Sequence, residues 1–161
     1  FDCVSALEIL EHLEEDPLAR TVRELARIAS RHILVSTPHE EELIRLHCAD
    51  CGKAFNPNGH VRRVDERFLR SLFWGWDLSS RIFVWSERRP YFYRELHGVY
   101  ARFARPWLAP ALCPACGADR GRGESPPAQT RLGKTMRRAL PGRAKHRWIV
   151  CLFSRRGVAL R

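Results

Sequence analysis

Lysine is nearly missing from this 161-residue sequence. Lys53, Lys134 and Lys145 are the whole set, so arginine carries almost all of the positive charge behind a formal net charge of +10. An arginine skew of this kind can follow from a GC-rich genome, so the charge alone does not establish an anionic partner, although a basic chain attracts one. Acidic residues are missing from the end of the chain. None follows Glu124, which leaves a purely basic final stretch. No apolar run approaches the roughly 20 residues that a membrane-spanning helix needs. No segment carries the charged, apolar and small-residue blocks of a secretory signal peptide. An initiating methionine is lacking too. The sequence opens at Phe1 inside what reads as a buried strand, and chains seldom begin mid-core. We therefore expect a piece of a longer protein whose N-terminal half lies before Phe1.

What is present suits one globular domain. Hydrophobic residues make up 45% of the chain, and the length allows a real core. "FDCVSAL" is nearly continuous in apolar residues and reads as a strand of a parallel sheet, covered on both faces. Asp16-Pro17 is a helix start, with Asp as N-cap and Pro at the first helical position. Leu18, Val22, Leu25 and Ile28 then fall on one helical face. "HILVS", residues 32–36, is a second buried strand, ended by Pro38, so the first 38 residues form a βαβ unit. Asp65 caps a short helix with Phe68, Leu69, Leu72 and Phe73 on its buried side, and Gly75 breaks it. "SRIFVWSE", 80–87, is a third strand. Pro90 opens a helix whose Phe92, Leu96, Val99, Tyr100, Phe103 and Trp107 form one stripe, with Arg94, Arg102 and Arg105 in the same segment. Residues 121–127 read as a loop, 128–140 as a basic helix stopped by Pro141-Gly142, and 147–156 as the last strand. The fold class is α/β.

Two knuckles interrupt that pattern. "CADCG" holds Cys48 and Cys51, and "CPACG" holds Cys113 and Cys116. Zinc takes four soft ligands in a tetrahedron, and two Cys-x-x-Cys turns supply two each. A glycine after each second cysteine lets the turn wrap a metal with positive φ. The alternatives are two disulfides or four unrelated thiols. Cys3 and Cys151 sit in strands and read as small buried hydrophobes. Glu8, Glu11 and His12 lie where the first strand ends, which is the ligand-facing edge of an α/β sheet. Spacing of i, i+3 and i+4 can bring all three to one helical face. Two carboxylates and an imidazole suit a hard divalent ion such as Mg²⁺.

"FDCVSALEILEHL", an amphipathic helix, and then "RHILVSTPH" resemble the second half of class I S-adenosylmethionine-dependent methyltransferases. "CGKAFNPNGHVRRVDERFLRSLF", followed later by Cys-Pro-x-Cys-Gly, is similar to a zinc-knuckle-containing subset of them. The resemblance spans nearly the whole chain, 1–161. It implies the fourth to seventh strands of a Rossmann-like sheet at 1–7, 32–36, 80–87 and 147–154, the last antiparallel, with knuckle insertions at 48–60 and 113–117. It also implies that the glycine-rich loop and the ribose-binding acid lie before Phe1, so this chain should bind S-adenosylmethionine poorly and be inactive alone.

The resemblance further implies a cytoplasmic enzyme. A reducing compartment argues against disulfides and leaves Cys48, Cys51, Cys113 and Cys116 to a structural Zn²⁺. Ala6 and Leu7 would lie against the cofactor, and Pro38 and His39 would line the acceptor side. The Glu8, Glu11, His12 motif is similar to one in metal-dependent O-methyltransferases of ubiquinone precursors and of small-RNA ends. There a metal positions the acceptor hydroxyl and lowers its pKa. His60, in "NGH", is then the fourth ligand or a general base. In many relatives the same Glu-His only shapes the cofactor pocket. The expected reaction is methyl transfer to an oxygen of a small-molecule or sugar-type acceptor. Two rivals stand beside it. One is a zinc-ribbon module that binds nucleic acid through the basic tail, recognisable by short antiparallel hairpins around the metal. The other is a non-catalytic methyltransferase-like scaffold.

Overall fold

The computed structural model describes residues 1–91, 107–123, 135 and 138–157. Along the chain run β1 (Cys3–Leu7), a 3₁₀ turn (Leu10–His12), α1 (Glu15–Ile28), β2 (His32–Pro38), β3 (Leu46–Cys48) and β4 (Ala54–Phe55). They are followed by α2 (Glu66–Leu72), β5 (Trp76–Pro90), β6 (Trp107–Pro110), β7 (Arg120–Gly123) and β8 (Gly142–Arg155). The chain is α/β and divides into two compact units. The first comprises Phe1–Glu42, His60–Ser86 and His146–Arg161, and the second Leu43–Gly59 and Glu87–Lys145. The sequence pattern suggests one domain with two insertions. Both cysteine knuckles fall in the second unit, which has a core of its own.

The first unit is built on a mixed sheet ordered β1-β2-β8-β5. β1 and β2 are parallel, with Cys3 opposite His32 and Leu7 opposite Ser36. β8 runs antiparallel to β2, from Ser154 opposite His32 to Trp148 opposite Pro38. The core joins Ala6, Ile33, Val35, Ile149, Cys151 and Phe153 of the sheet to Leu18 and Leu25 of α1 and Leu69 of α2. Burial raises the Cys151 thiol to about 11, in keeping with its reading as a buried apolar residue. Cys3 differs: it is exposed. Val4 and Ala6 turn to the core while Cys3, Ser5 and Leu7, alternating with them, are exposed, so the strand is not covered on both faces.

Local chemistry accounts for the helices. α1 starts at Glu15, with Glu14 as an N-cap that makes no side-chain cap bond, earlier than the Asp16-Pro17 signal predicts. Pro17 is tolerated inside the first turn because the N–H groups there have no helical partner in any case. The first helical bond runs from Leu18 N to Glu14 O. α2 follows its sequence signal: the Asp65 carboxylate accepts from the Phe68 amide at 2.7 Å. Asp65→Ala is expected to lower stability by about 0.5–2 kcal/mol, read as a shifted urea midpoint with unchanged slope.

The second half departs further from the sequence pattern. Pro90 ends β5 and Trp107 opens β6, so neither belongs to the predicted 90–107 helix, whose residues 92–106 lie outside those described. Residues 121–123 belong to β7 and not to a loop. Of the basic helix, Thr135, Arg138 and Ala139 are helical, and most of the remainder lies outside the described residues. β8 begins at Gly142, so the basic run 142–147 is strand. The second unit holds a sheet ordered β4-β3-β7-β6, in which every pair is antiparallel.

Candidate metal centres

The second unit brings together the four cysteines that the knuckles predict. The Cys48 amide donates to Lys53 O at 2.9 Å and the Gly52 amide to Cys48 O at 3.1 Å, closing the first knuckle at the end of β3. The second knuckle repeats the pattern: Cys113 N bonds Ala118 O at 2.7 Å, and Gly117 N bonds Cys113 O at 2.9 Å. Gly52 and Gly117 have φ of 72° and 74°, the left-handed conformation that a side chain would oppose. Cys48 Sγ lies 3.5 Å from Cys116 Sγ, and Cys51 Sγ 3.7 Å from Cys113 Sγ. Each close pair joins one knuckle to the other.

Those separations exclude disulfides, whose sulfurs sit about 2.05 Å apart. They fit the roughly 3.8 Å edge of a tetrahedron with metal–sulfur bonds of about 2.3 Å. All four ligand atoms lie within 4.8 Å of one another, so the group could hold a metal such as zinc. The charges point the same way. Amides of Cys51 and Asp50 pull the Cys48 thiol down to about 7. The Ala118 amide pulls Cys116 down as well, but Cys48, Cys51, burial and Cys113 outweigh it and push that thiol up to about 12. Four sulfurs at this spacing cannot all ionise without a cation among them. Leu46, Phe55 and Ala111 pack with the buried Cys48 and Cys113 in a small core.

The first unit holds a second group, Glu11, His12 and His60, whose ligand atoms also lie within 4.8 Å of one another. Val61 N donates to Glu11 O at 2.9 Å. Arg62 donates from Nε to Leu13 O at 3.1 Å and from Nη1 to Glu15 at 3.0 Å. The chain from His60 is thereby pinned along residues 11–15, and the His12 and His60 rings meet edge to face at 4.7 Å. His60 Nδ1 is held by the Glu41 carboxylate. Glu11 is 1% exposed, and neither of its carboxylate oxygens has a hydrogen-bond partner. Burial raises its pKa, and nearby Glu8 adds to the effect, against the Glu11 backbone hydrogen bond, His12 and His60. A carboxylate so placed is costly unless a cation or a proton satisfies it.

Glu8 is not in this group. The i, i+3, i+4 alignment needs a helix from Glu8 onward, but Glu8 has a φ of 53° and only Leu10–His12 turn, as a 3₁₀ segment. Its carboxylate instead accepts from Ser36 Oγ at 2.8 Å and Trp148 Nε1 at 2.7 Å. Ala6 is in the core and Leu7 is half exposed. The His39 ring meets Phe83 at a tilt, with centroids 5.0 Å apart, and Phe83 stacks on His146 at 4.4 Å. Glu41, Ser36 and Trp148 were not legible as site residues. Glu41 sits in an acidic run 19 positions before His60, and nothing local marks it.

No protein-family model, curated protein or solved structure matches this chain. Among the described residues, no helix is long and apolar enough to cross a membrane.

Proposed function

We propose that this chain is the C-terminal part of a class I S-adenosylmethionine-dependent methyltransferase acting on an oxygen of a small-molecule or sugar-type acceptor, with a zinc-bearing unit inserted in it. The observation that carries the reading is the first unit's sheet. Parallel β1 and β2 are joined through α1, and the last strand is antiparallel beside β2, as the family's final strand is. Polar groups gather just beyond the C-terminal ends of β1 and β2, where α/β sheets place their ligands. The cofactor would supply the electrophilic methyl group. This chain's own contribution would be to hold and orient the acceptor oxygen and take up its proton.

Glu11, His12 and His60 are the residues for that task. Glu41 on Nδ1 would orient the His60 ring with Nε2 toward the cation, a carboxylate–histidine arrangement that also raises ligand basicity. The donor set tests which cation fits. One carboxylate with two imidazoles suits a transition-metal dication such as Fe²⁺ or Co²⁺, or Mn²⁺, which accepts imidazole beside carboxylate. It does not suit Mg²⁺, which prefers oxygen. Glu8, bonded to Ser36 and Trp148, would shape the wall of the site. Cys48, Cys51, Cys113 and Cys116 would hold Zn²⁺ with all four positions filled by protein, the mark of a structural site.

The test is transfer of radiolabelled methyl from S-adenosylmethionine to catechol, sugar and nucleoside hydroxyls, using the longest natural polypeptide that contains these residues. Label should reach an oxygen with Mn²⁺ present and fall to background with chelator. Failure to label any acceptor under both conditions overturns the enzymatic reading in favour of a scaffold.

A further inference from the structure

The two units differ in charge as sharply as in architecture. Residues 43–59 and 87–145, the second unit, hold fifteen of the chain's 28 Lys and Arg and five of its 18 Asp and Glu. The first unit holds thirteen of each and is neutral. The whole formal charge of +10 therefore belongs to the unit that carries the four cysteines. A uniform arginine skew from nucleotide composition would have spread the excess over both.

The first unit neutralises much of its basic side chemistry internally. Arg27 pairs with Glu24, Arg62 with Glu15, Arg63 with Glu40, Arg70 and Arg81 with Glu66, and Arg156 with Asp77. In the second unit Arg45, Lys53, Arg138 and Arg143 are exposed, and no ion pair engages them among the described residues. Strand alternation explains the placement of Arg45. Leu46 and Cys48 are buried in β3, which turns His47 outward along with Arg45 just before the strand. Lys53 follows from the knuckle turn, and Arg122 of β7 is the register partner of His47. Basic positions thus occur on or beside β4, β3 and β7 in the sequence register.

Aromatic residues accompany the cations. All three tyrosines of the chain, Tyr91, Tyr93 and Tyr100, fall in this unit, in a sequence interleaved with Arg94, Arg102 and Arg105. Tyr91 is exposed, and its amide bonds Pro141 O at 3.3 Å, two residues from exposed Arg143. We infer that the cysteine-cluster unit binds single-stranded nucleic acid. Arg45, Lys53, Arg138 and Arg143 track the phosphates, and the exposed Tyr91 ring stacks on an unpaired base. Arg45 and Lys53 flank the short strands β3 and β4, and Arg143 lies in β8. The inference does not depend on the methyl-transfer reading.

The test uses the zinc-loaded full chain and fluorescence anisotropy of labelled oligo-dT and oligo-U over a salt series. The logarithm of the affinity should fall linearly with log salt. The triple variant Arg45→Glu, Lys53→Glu, Arg143→Glu should bind at least about tenfold more weakly, with a salt slope shallower by about 2, at about 0.7 per lost phosphate contact. The charge-matched triple Arg20→Glu, Arg23→Glu, Arg67→Glu should bind as the unchanged chain does, because these arginines belong to the first unit. Retained zinc and circular dichroism establish that the variants fold, and Arg45→Gln with Lys53→Gln replaces the triple if it does not. Equal weakening by both triples, salt-independent binding, or binding to phosphatidylserine vesicles without binding to either oligonucleotide overturns the inference. Displacement of the strand by duplex at equal phosphate concentration overturns its single-stranded part.

Discussion

Exchanging Cys113 for serine is expected to strip zinc from the second unit and melt that unit, while the sheet of the first unit persists. Cys113 is buried and its sulfur lies 3.7 Å from that of Cys51, so the substitution opens the tetrahedron from inside. The loss should be large because, among the described residues, little else holds the unit. Its described apolar core is Leu46, Phe55 and Ala111 around the two buried cysteines, whereas a structural zinc site contributes about 10–16 kcal/mol of apparent binding energy. Elemental analysis should show stoichiometric zinc in the unchanged chain and none in the variant. Backbone amide exchange should rise through residues 43–59 and 107–123 and stay slow in β2 and the paired part of β8. A variant that loses zinc yet keeps its slow amides throughout would refute a structural role for the metal.

Glu11→Gln is expected to have opposite effects with and without a divalent cation. In the cation-free chain at neutral pH it should stabilise the first unit by about 1–2 kcal/mol, because it replaces a buried carboxylate that has no hydrogen-bond partner and only a long 3.9 Å contact to His12 with a neutral amide. The pH dependence follows from the direction of the shift. Burial raises the folded Glu11 pKa above its ordinary value of 4.5, so the folded state holds the proton more tightly than the unfolded state does. The unchanged chain should therefore lose stability as pH rises from about 4.5 through the folded pKa and stay level above it. The advantage of the amide variant should vanish below about pH 4.5, where the carboxyl is protonated in both states. With Mn²⁺ or Co²⁺ at about 100 times the dissociation constant, the unchanged chain should gain about 2.7 kcal/mol and the variant much less, reversing their order in thermal melts. Equal shifts in both proteins would remove Glu11 from the ligand set.

What could be read in advance was what depends on neighbours in sequence. The apolar spacing of Leu18, Val22, Leu25 and Ile28 sets the buried side of α1, and Asp65 caps α2 through an amide three residues on. Each Cys-x-x-Cys-Gly closes its own turn with a glycine at positive φ. β7 was illegible because Arg120–Gly123 reads RGRG. It has no apolar alternation and is a strand only because β3 and β6 supply its hydrogen-bonding partners.

The sequence by itself determined the α/β class, the parallel β1–β2 pair, the four thiols and the presence of Glu11, His12 and His60. Only the tertiary structure decided which distant groups meet. It pairs Cys48 with Cys116 and Cys51 with Cys113. It turns Glu8 toward Ser36 and Trp148 and brings His60 to Glu11, with Glu41 behind it. It also divides the chain so that a net charge spread along the sequence falls on one unit. The physical reason is one of range. Turn, cap and periodicity energies act within a few residues and leave a local pattern. Coordination, burial and charge density depend on contacts between distant segments, such as the cysteine pair 68 positions apart, and those exist only once the chain has closed on itself.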